Sequence, residues 1–287
     1  MKYAALGDTH GNLEALDAVL RDMEQQKPDR IVVLGDTIGY GPNPVECLNK
    51  ACSIADIFLI GNHEREVVSP EFARFSEVAE ESINWTKLQL VTSEEWQKIK
   101  QKTAEQGFDK SAIRRHGGIG FVHGSYTDPL DEYVRPWEKE DYVNHGDEVD
   151  DYLGKFLMPE ELHWFCAHTH MPAVLIEAAN MSKLEGITNP NTEYTFAGKV
   201  HYFFVPNGPT IVRGLTGKKA VINPGSVGQP RYLGDNRASY VLYDGDSVEF
   251  RRVKYNFVKT QKKILALPLT LGTRMDLVDR LREVKAK

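Results

Sequence analysis

The sequence predicts an α/β fold on three observations. Apolar runs alternate with helix-patterned segments from Tyr3 onward, a βαβ rhythm that implies parallel strands joined by right-handed crossovers. Five apolar runs each stop at a short polar group. Beyond His170 the pattern turns to closely spaced strands.

The elements follow in order. Met1 to Leu6 reads as a buried strand ending at Gly7-Asp8-Thr9-His10-Gly11. Leu13, Leu16, Val19, Leu20 and Met23 then share one face at helical spacing, until Lys27-Pro28-Asp29 breaks the helix. Ile31 to Leu34 is a second strand, ending at Gly35-Asp36-Thr37-Ile38-Gly39, and a helix begins near Pro44. Ile57 to Ile60 is a third strand, ending at Gly61-Asn62-His63-Glu64. Residues 70–110 read as helical, with Phe72, Phe75, Val78 and Ile83 as core positions. Ile119 to Val122 precedes His123-Gly124-Ser125, and His163 to Cys166 precedes Ala167-His168-Thr169-His170. Between these two strands lies an acidic, aromatic stretch from Tyr126 to Tyr152, a solvated face or a cap over a pocket. Ala173–Ile176, Tyr202–Val205 and Ala220–Ile222 are strands, the last followed by Asn223-Pro224-Gly225-Ser226. Tyr240–Tyr243 and Val248–Phe250 flank Asp244-Gly245-Asp246 as a hairpin, and a basic helix follows Pro268. No linker divides the chain, so residues 1–287 read as one domain.

The bulk composition narrows the function classes. A net charge of −6 without a single-sign run lacks the basic footprint of a dedicated nucleic-acid binder. Anionic substrates stay open, because bound cations add positive charge that a residue count omits. Three cysteines without a CxxC pair suggest reduced thiols, hence a cytoplasmic setting. Met1 to Leu6 is too short an apolar stretch for a signal peptide, and no run approaches a membrane span.

The chemistry lies in the strand-end groups. Ligands of open α/β sheets bind at the carboxyl ends of parallel strands, so these groups are placed to converge on one rim. Asp8, His10, Asp36, Asn62, His123, His168 and His170 offer carboxylate, amide and imidazole donors, a set suited to Mn, Fe, Ni or Zn. Seven donors exceed one tetrahedral ion and suit two divalent ions about 3.5–4 Å apart, which grip the attacking and leaving oxygens of a displacement at phosphorus. Taken singly, Asp8 could cap a helix, Asp36 and Asn62 could be turn residues, and His123 could be a core histidine. His168 and His170, spaced i, i+2 on an extended backbone, would point the same way.

Asp8-Thr9-His10, Gly35-Asp36, Gly61-Asn62-His63-Glu64, Val122-His123-Gly124 and His168-Thr169-His170 resemble the five ordered motifs of the calcineurin-like metallophosphoesterases. Asn223-Pro224-Gly225-Ser226 resembles a later signature of their small bacterial and archaeal members. The resemblance implies a four-layer αββα sandwich with two mixed sheets. It implies one metal on Asp8, His10, Asp36 and His170, and a second on Asp36, Asn62, His123 and His168, with Asp36 bridging. It implies hydrolysis of a phosphate ester by a hydroxide between the metals, with His63 protonating the leaving oxygen or stabilising charge. Arg231 and Tyr40 are the candidate substrate contacts.

One departure matters. Family phosphoprotein phosphatases carry Asp-Arg-Gly where this chain has Gly39-Tyr40-Gly41. There the Asp orients the histidine and the Arg binds phosphate, so here His63 must be oriented by other groups. That leaves a phosphodiesterase or a broad phosphatase as the expected activity. A phosphoprotein phosphatase, a nuclease and a non-catalytic interaction module on the same fold stand as alternatives.

Overall fold

The computed structural model describes residues 1–71, 75–134, 160–177, 184–187, 190, 192–196, 199–231 and 235–282. The predicted alternation is present. Strand β1 (Tyr3–Leu6) leads to α1 (Leu13–Gln26), β2 (Arg30–Val33), α2 (Pro44–Ile54), β3 (Ile57–Phe58) and α3 (Asn62–Val68). The region read as one helical stretch contains α4 (Glu77–Gln89), α5 (Glu94–Gln106) and α6 (Phe108–Ser111). Strands β4 (Ile113–His116), β5 (Ile119–Val122), β6 (His163–Phe165) and β7 (Pro172–Glu177) follow. Next come β8 (Thr192–Phe196), β9 (Lys199–Phe204), β10 (Thr210–Arg213), β11 (Ala220–Pro224), β12 (Ala238–Tyr243) and β13 (Ser247–Val253). The chain closes with α7 (Phe257–Leu265) and α8 (Leu271–Asp279).

These strands build two mixed sheets, ordered β10-β13-β12-β1-β2-β3 and β4-β5-β6-β11-β7-β9-β8. In the first, β1, β2 and β3 run parallel and β12 pairs antiparallel to β1. In the second, β5, β6 and β11 run parallel. The period-two pattern sorts side chains between faces. Tyr3, Ala5, Val32 and Leu34 share one buried cluster with Phe121, Phe165, Val174 and Ile176, so the sheets face each other. Ala4, Leu6, Val33, Tyr240 and Leu242 pack outward against Leu16, Val19 and Met23 of α1. Flanking helices complete an αββα-like arrangement.

Several local outcomes differ from the sequence reading. Strand β3 has two residues rather than four, although Leu59 N–H still pairs with the Val33 carbonyl at 2.9 Å. Ile83 is buried and Phe75 and Val78 are half-buried, whereas Phe72 lies outside the described residues. So does the acidic stretch from residue 135 onward. Helix α1 is capped by Asn12, whose side chain accepts from Ala15 N–H at 3.2 Å. Asp8 is therefore free of the capping role that its position first suggested. No described helix is long and apolar enough to cross a membrane.

Candidate metal centre

The loops after β1 and β2 run side by side as an extension of the parallel ladder. Asp8 N–H donates to the Gly35 carbonyl at 3.1 Å, and His10 N–H donates to the Asp36 carbonyl at 2.9 Å. Loops after β3, β5 and β6 join them at the same rim, as predicted from the strand ends. All seven candidate donors converge there, each no more than 7% exposed.

The donors fall into two groups. Candidate ligand atoms of Asp8, His10, Asp36 and His170 lie within 4.8 Å of one another, and so do those of Asp36, His123 and His168. Asp36 belongs to both groups. Its Oδ2 is 3.6 Å from His10 Nε2 and 3.5 Å from His123 Nε2, midway between the two histidines. The Asn62 side-chain oxygen completes the second group. It faces Asp36 Oδ2 at 3.0 Å and His123 Nε2 and His168 Nδ1 at 3.2 Å each, all of them acceptors.

Backbone carbonyls fix the histidine tautomers. His10 Nδ1 reaches Ile38 O at 3.2 Å, His123 Nδ1 reaches Leu34 O at 2.8 Å and His170 Nδ1 reaches Gln229 O at 2.8 Å. His168 uses Nε2 instead, toward Asp131 O at 3.2 Å. A carbonyl can only accept, so each of these nitrogens carries the proton and the other presents a bare lone pair to the rim. His10 Nε2 and His170 Nε2 then stand 2.9 Å apart with no proton between them. Asp8 Oδ2 is buried without a partner. Lone pairs crowded in this way repel unless a cation lies among them, and imidazole, carboxylate and amide oxygen are the donors that divalent metals take.

Electrostatics agree. Burial pushes the Asp8 carboxyl well above its ordinary range, reinforced by Asp36 and opposed by the Arg231 guanidinium. Burial raises Asp36 to about 7, opposed by the backbone N–H of His63. It lowers His123 to about 4 and holds His10, His168 and His170 well below their usual value. The imidazoles are thereby kept neutral, the form in which they bind metals.

The local backbone is strained where these donors sit. Among the described non-glycine residues, seven have positive φ, and six belong to this site: Asp8 (52°), His10 (46°), Asp36 (49°), Tyr40 (54°), His168 (64°) and His170 (59°). Left-handed geometry costs an L-residue roughly 1–2 kcal/mol. This corrects the extended-backbone reading of His168 and His170. Both are left-handed, so the i, i+2 spacing does not aim them alike: His170 joins the first group and His168 the second.

Supporting residues hold the loops. Glu64, buried at the start of α3, accepts N–H bonds from Asp36, Thr37, Ile38 and Gly61 at 2.9, 2.8, 3.2 and 2.7 Å. Asn223 donates to the Ala167 carbonyl at 2.8 Å and to Thr169 Oγ1 at 2.7 Å, fixing the loop of His168 and His170. Ser226 Oγ donates to the Asp8 carbonyl at 2.8 Å, so the Asn-Pro-Gly-Ser turn ties the two sheets together at the site. Gly228 is required there, since a Cβ would lie 1.8 Å from the Thr9 carbonyl oxygen. Arg65 grips Asp131, whose carbonyl in turn holds His168. Tyr133 stacks on the His168 ring at 4.1 Å.

His63 lies beside the donors. Its ring contacts those of Tyr40, His10 and Phe75, with centroids 4.5, 4.6 and 5.4 Å away. Its backbone N–H donates to Asp36 Oδ1 at 2.9 Å. Gly39 answers the question raised by the missing Asp-Arg-Gly. It has φ +86°, and a Cβ there would come within 2.2 Å of His63 Nδ1. An aromatic cage closed by a glycine thus holds the imidazole in place of an aspartate. Of the histidines given no function, His163 is buried with its Nδ1 against Tyr243 Oη, His201 is buried, and His116 bonds Tyr3 Oη at 3.0 Å. His145 is outside the described residues.

A cavity of about 280 Å³ opens over Asp36, Asn62, His63, His168 and His170. Tyr40 and Arg231, the candidate substrate contacts, line it together with Phe75, Asp131, Tyr133 and Arg280. Arg280 was not foreseen, because an arginine at a helix end carries no motif.

Residues 1–214 match the model of the calcineurin-like phosphoesterase family. The chain belongs to that family. It is 31% identical over 283 residues to an uncharacterized protein, MJ0912, of Methanocaldococcus jannaschii, a match spanning 96% of this chain and 97% of the relative. It is also similar to the crystal structure of a metallophosphoesterase from Sphaerobacter thermophilus, at 28% identity and a TM-score of 0.69, covering 98% of each chain. A metal-dependent phosphoesterase activity and two candidate metal sites accord with the family and the geometry together.

Proposed function

We propose that this phosphoesterase hydrolyses phosphate esters by direct attack of water, with no covalent enzyme intermediate. The observation that carries the reading is Asp36 Oδ2, set 3.6 and 3.5 Å from histidines of two separate donor groups. Asp8, His10, Asp36 and His170 would hold one divalent ion, and Asp36, Asn62, His123 and His168 the other. Such a pair binds phosphoryl oxygens and lowers the pKa of water towards neutrality.

The chain's own residues supply the rest. Buried Nδ1 of His63 has no hydrogen-bond partner and faces Gly39, which leaves Nε2 to serve the cavity. Burial holds this imidazole well below its ordinary pKa, favouring the neutral ring. The Nε2–H of the neutral ring would then donate a hydrogen bond to the leaving oxygen and stabilise its charge as it develops, with the proton itself coming from water. Arg231, at the cavity wall, would pair with phosphoryl oxygens. Tyr40 supports His63 and forms part of the same wall.

The test is hydrolysis of p-nitrophenyl phosphate and bis-p-nitrophenyl phosphate by purified protein reconstituted with Mn or Ni. Turnover of at least one ester is expected, and His63→Ala should lower kcat by roughly 10²–10³-fold while bound metal is unchanged. Reconstituted protein inactive on both esters would overturn the reading.

A further inference from the structure

The chain lacks the phosphate-binding arginine of the Asp-Arg-Gly motif, yet its cavity contains a second guanidinium besides Arg231. Arg280 follows α8 directly and lines the cavity. Its guanidinium carbon lies 5.1 Å from the Tyr40 ring centroid, and Tyr40 in turn packs on His63 at 4.5 Å.

This placement is anchored by the fold. Leu277, Val278 and Leu281 bracket Arg280 and are buried with Tyr40, Ala79, Ile264, Leu267 and Leu269. Thr270, the cap of α8, donates its N–H to Glu81 Oε1 of α4 at 2.6 Å and its hydroxyl to Glu81 Oε2 at 2.8 Å. Helix α7 is fastened by Thr260 to Asn12 at 3.0 Å, two residues from His10. The C-terminal hairpin is thus locked against the site, and Arg280 is the charged side chain that it brings to the cavity. Its ion pair with Asp276, one turn back, is to a carboxylate that is 45% exposed. Such a surface pair adds little stability, so it does not account for the position.

We propose that Arg280, laid over Tyr40, forms with Arg231 a two-arginine clamp for the unesterified oxygens of a phosphomonoester dianion. The proposal rests on the phosphoesterase reading of the site and selects a substrate class within it. A monoester has three terminal oxygens and nearly two charges at neutral pH, whereas a diester has two such oxygens and one charge. A second fork of N–H donors therefore favours the monoester. Both arginines lie outside the 1–214 match to the family model.

The test measures binding, independent of turnover. Isothermal titration of Mn-loaded protein, dialysed free of excess metal, compares inorganic phosphate with dimethyl phosphate. Arg280→Gln should weaken phosphate binding at least 10-fold, with Arg280→Lys recovering part of the loss. Dimethyl phosphate should change less than threefold or be too weak to detect in both proteins. Asp276→Asn, which removes the helical ion pair alone, should leave phosphate affinity within threefold. Phosphate affinity unchanged in Arg280→Gln, equal losses for both ligands, a wild type that does not bind phosphate, or an Asp276→Asn loss as large as that of Arg280→Gln would each overturn the clamp. A wild type that shows Arg280-dependent phosphate binding but hydrolyses neither ester would sink the hydrolase reading and leave the clamp standing.

Discussion

At the scale of single residues, the site is organised by what each side chain excludes as much as by what it touches. Gly39 is the sharpest case. Its missing Cβ makes room for His63, and its φ of +86° is one that glycine adopts without strain. Gly39→Ala should displace the imidazole and lower kcat by about 10²-fold, the scale of a 1 Å misplacement, with bound metal unchanged. Steady-state kinetics with metal analysis checks this, and an alanine variant of full activity would contradict it. The convergence of the seven candidate donors and His63 on one rim was legible in the sequence, because each follows an apolar strand and each is a residue type with metal or proton chemistry. Arg280 was not legible. Its neighbours in sequence are helical, its partners Tyr40 and His63 are more than two hundred positions away, and only the packing of Leu277, Val278 and Leu281 reveals where it points. The left-handed backbone of His168 and His170 was hidden for a related reason: φ above zero is read from sequence only at glycine and asparagine, and here surrounding hydrogen bonds impose it on histidine.

At the scale of elements, strands and helices with strong periodicity were read correctly, whereas short edge elements were not. β4 escaped because Arg114 and Arg115 interrupt any apolar pattern at an edge position. β10 lies at the edge of its sheet between turn residues. Helix α1 illustrates a link invisible to pattern. Asp22, on its half-buried side, accepts from Tyr240 Oη at 2.6 Å and from Arg251 Nε at 2.7 Å, tying the helix to β12 and β13. The hydrogen bond from Arg251, aided by Tyr240, depresses the Asp22 carboxyl below its ordinary value of 3.8. A depressed folded pKa means that this contribution is fully present above the unfolded value and is lost as pH falls through the folded one. Asp22→Asn should therefore cost about 1 kcal/mol at pH 7, the upper end for a partly exposed ion pair, and the difference from wild type should shrink below pH 4. Urea denaturation at pH 7 and pH 3 measures it; a gap that is constant or grows on acidification would contradict the assignment.

At the scale of the whole molecule, the two mixed sheets meet so that the carboxyl ends of β1, β2, β3, β5 and β6 form one rim. The αββα-like layering was legible only through the family resemblance, since periodicity alone could not say how the β-rich second half pairs with the first. The fold keeps unfavourable features at that rim: crowded lone pairs, carboxylates raised by burial and six left-handed residues. Cations that bound the folded rim and not the unfolded chain would offset these costs. Metal at about one hundred times its Kd should add about 2.7 kcal/mol per ion, seen as a rise in Tm over chelated protein. Two divalent ions sharing Asp36 would make the site competent, and titrating Mn into metal-free protein while following hydrolysis of p-nitrophenyl phosphate reads this out. Activity should climb to a plateau at two equivalents, and Asp36→Asn should abolish it. Full activity without metal, a plateau at one equivalent, or an Asp36→Asn variant as active as wild type would contradict the account.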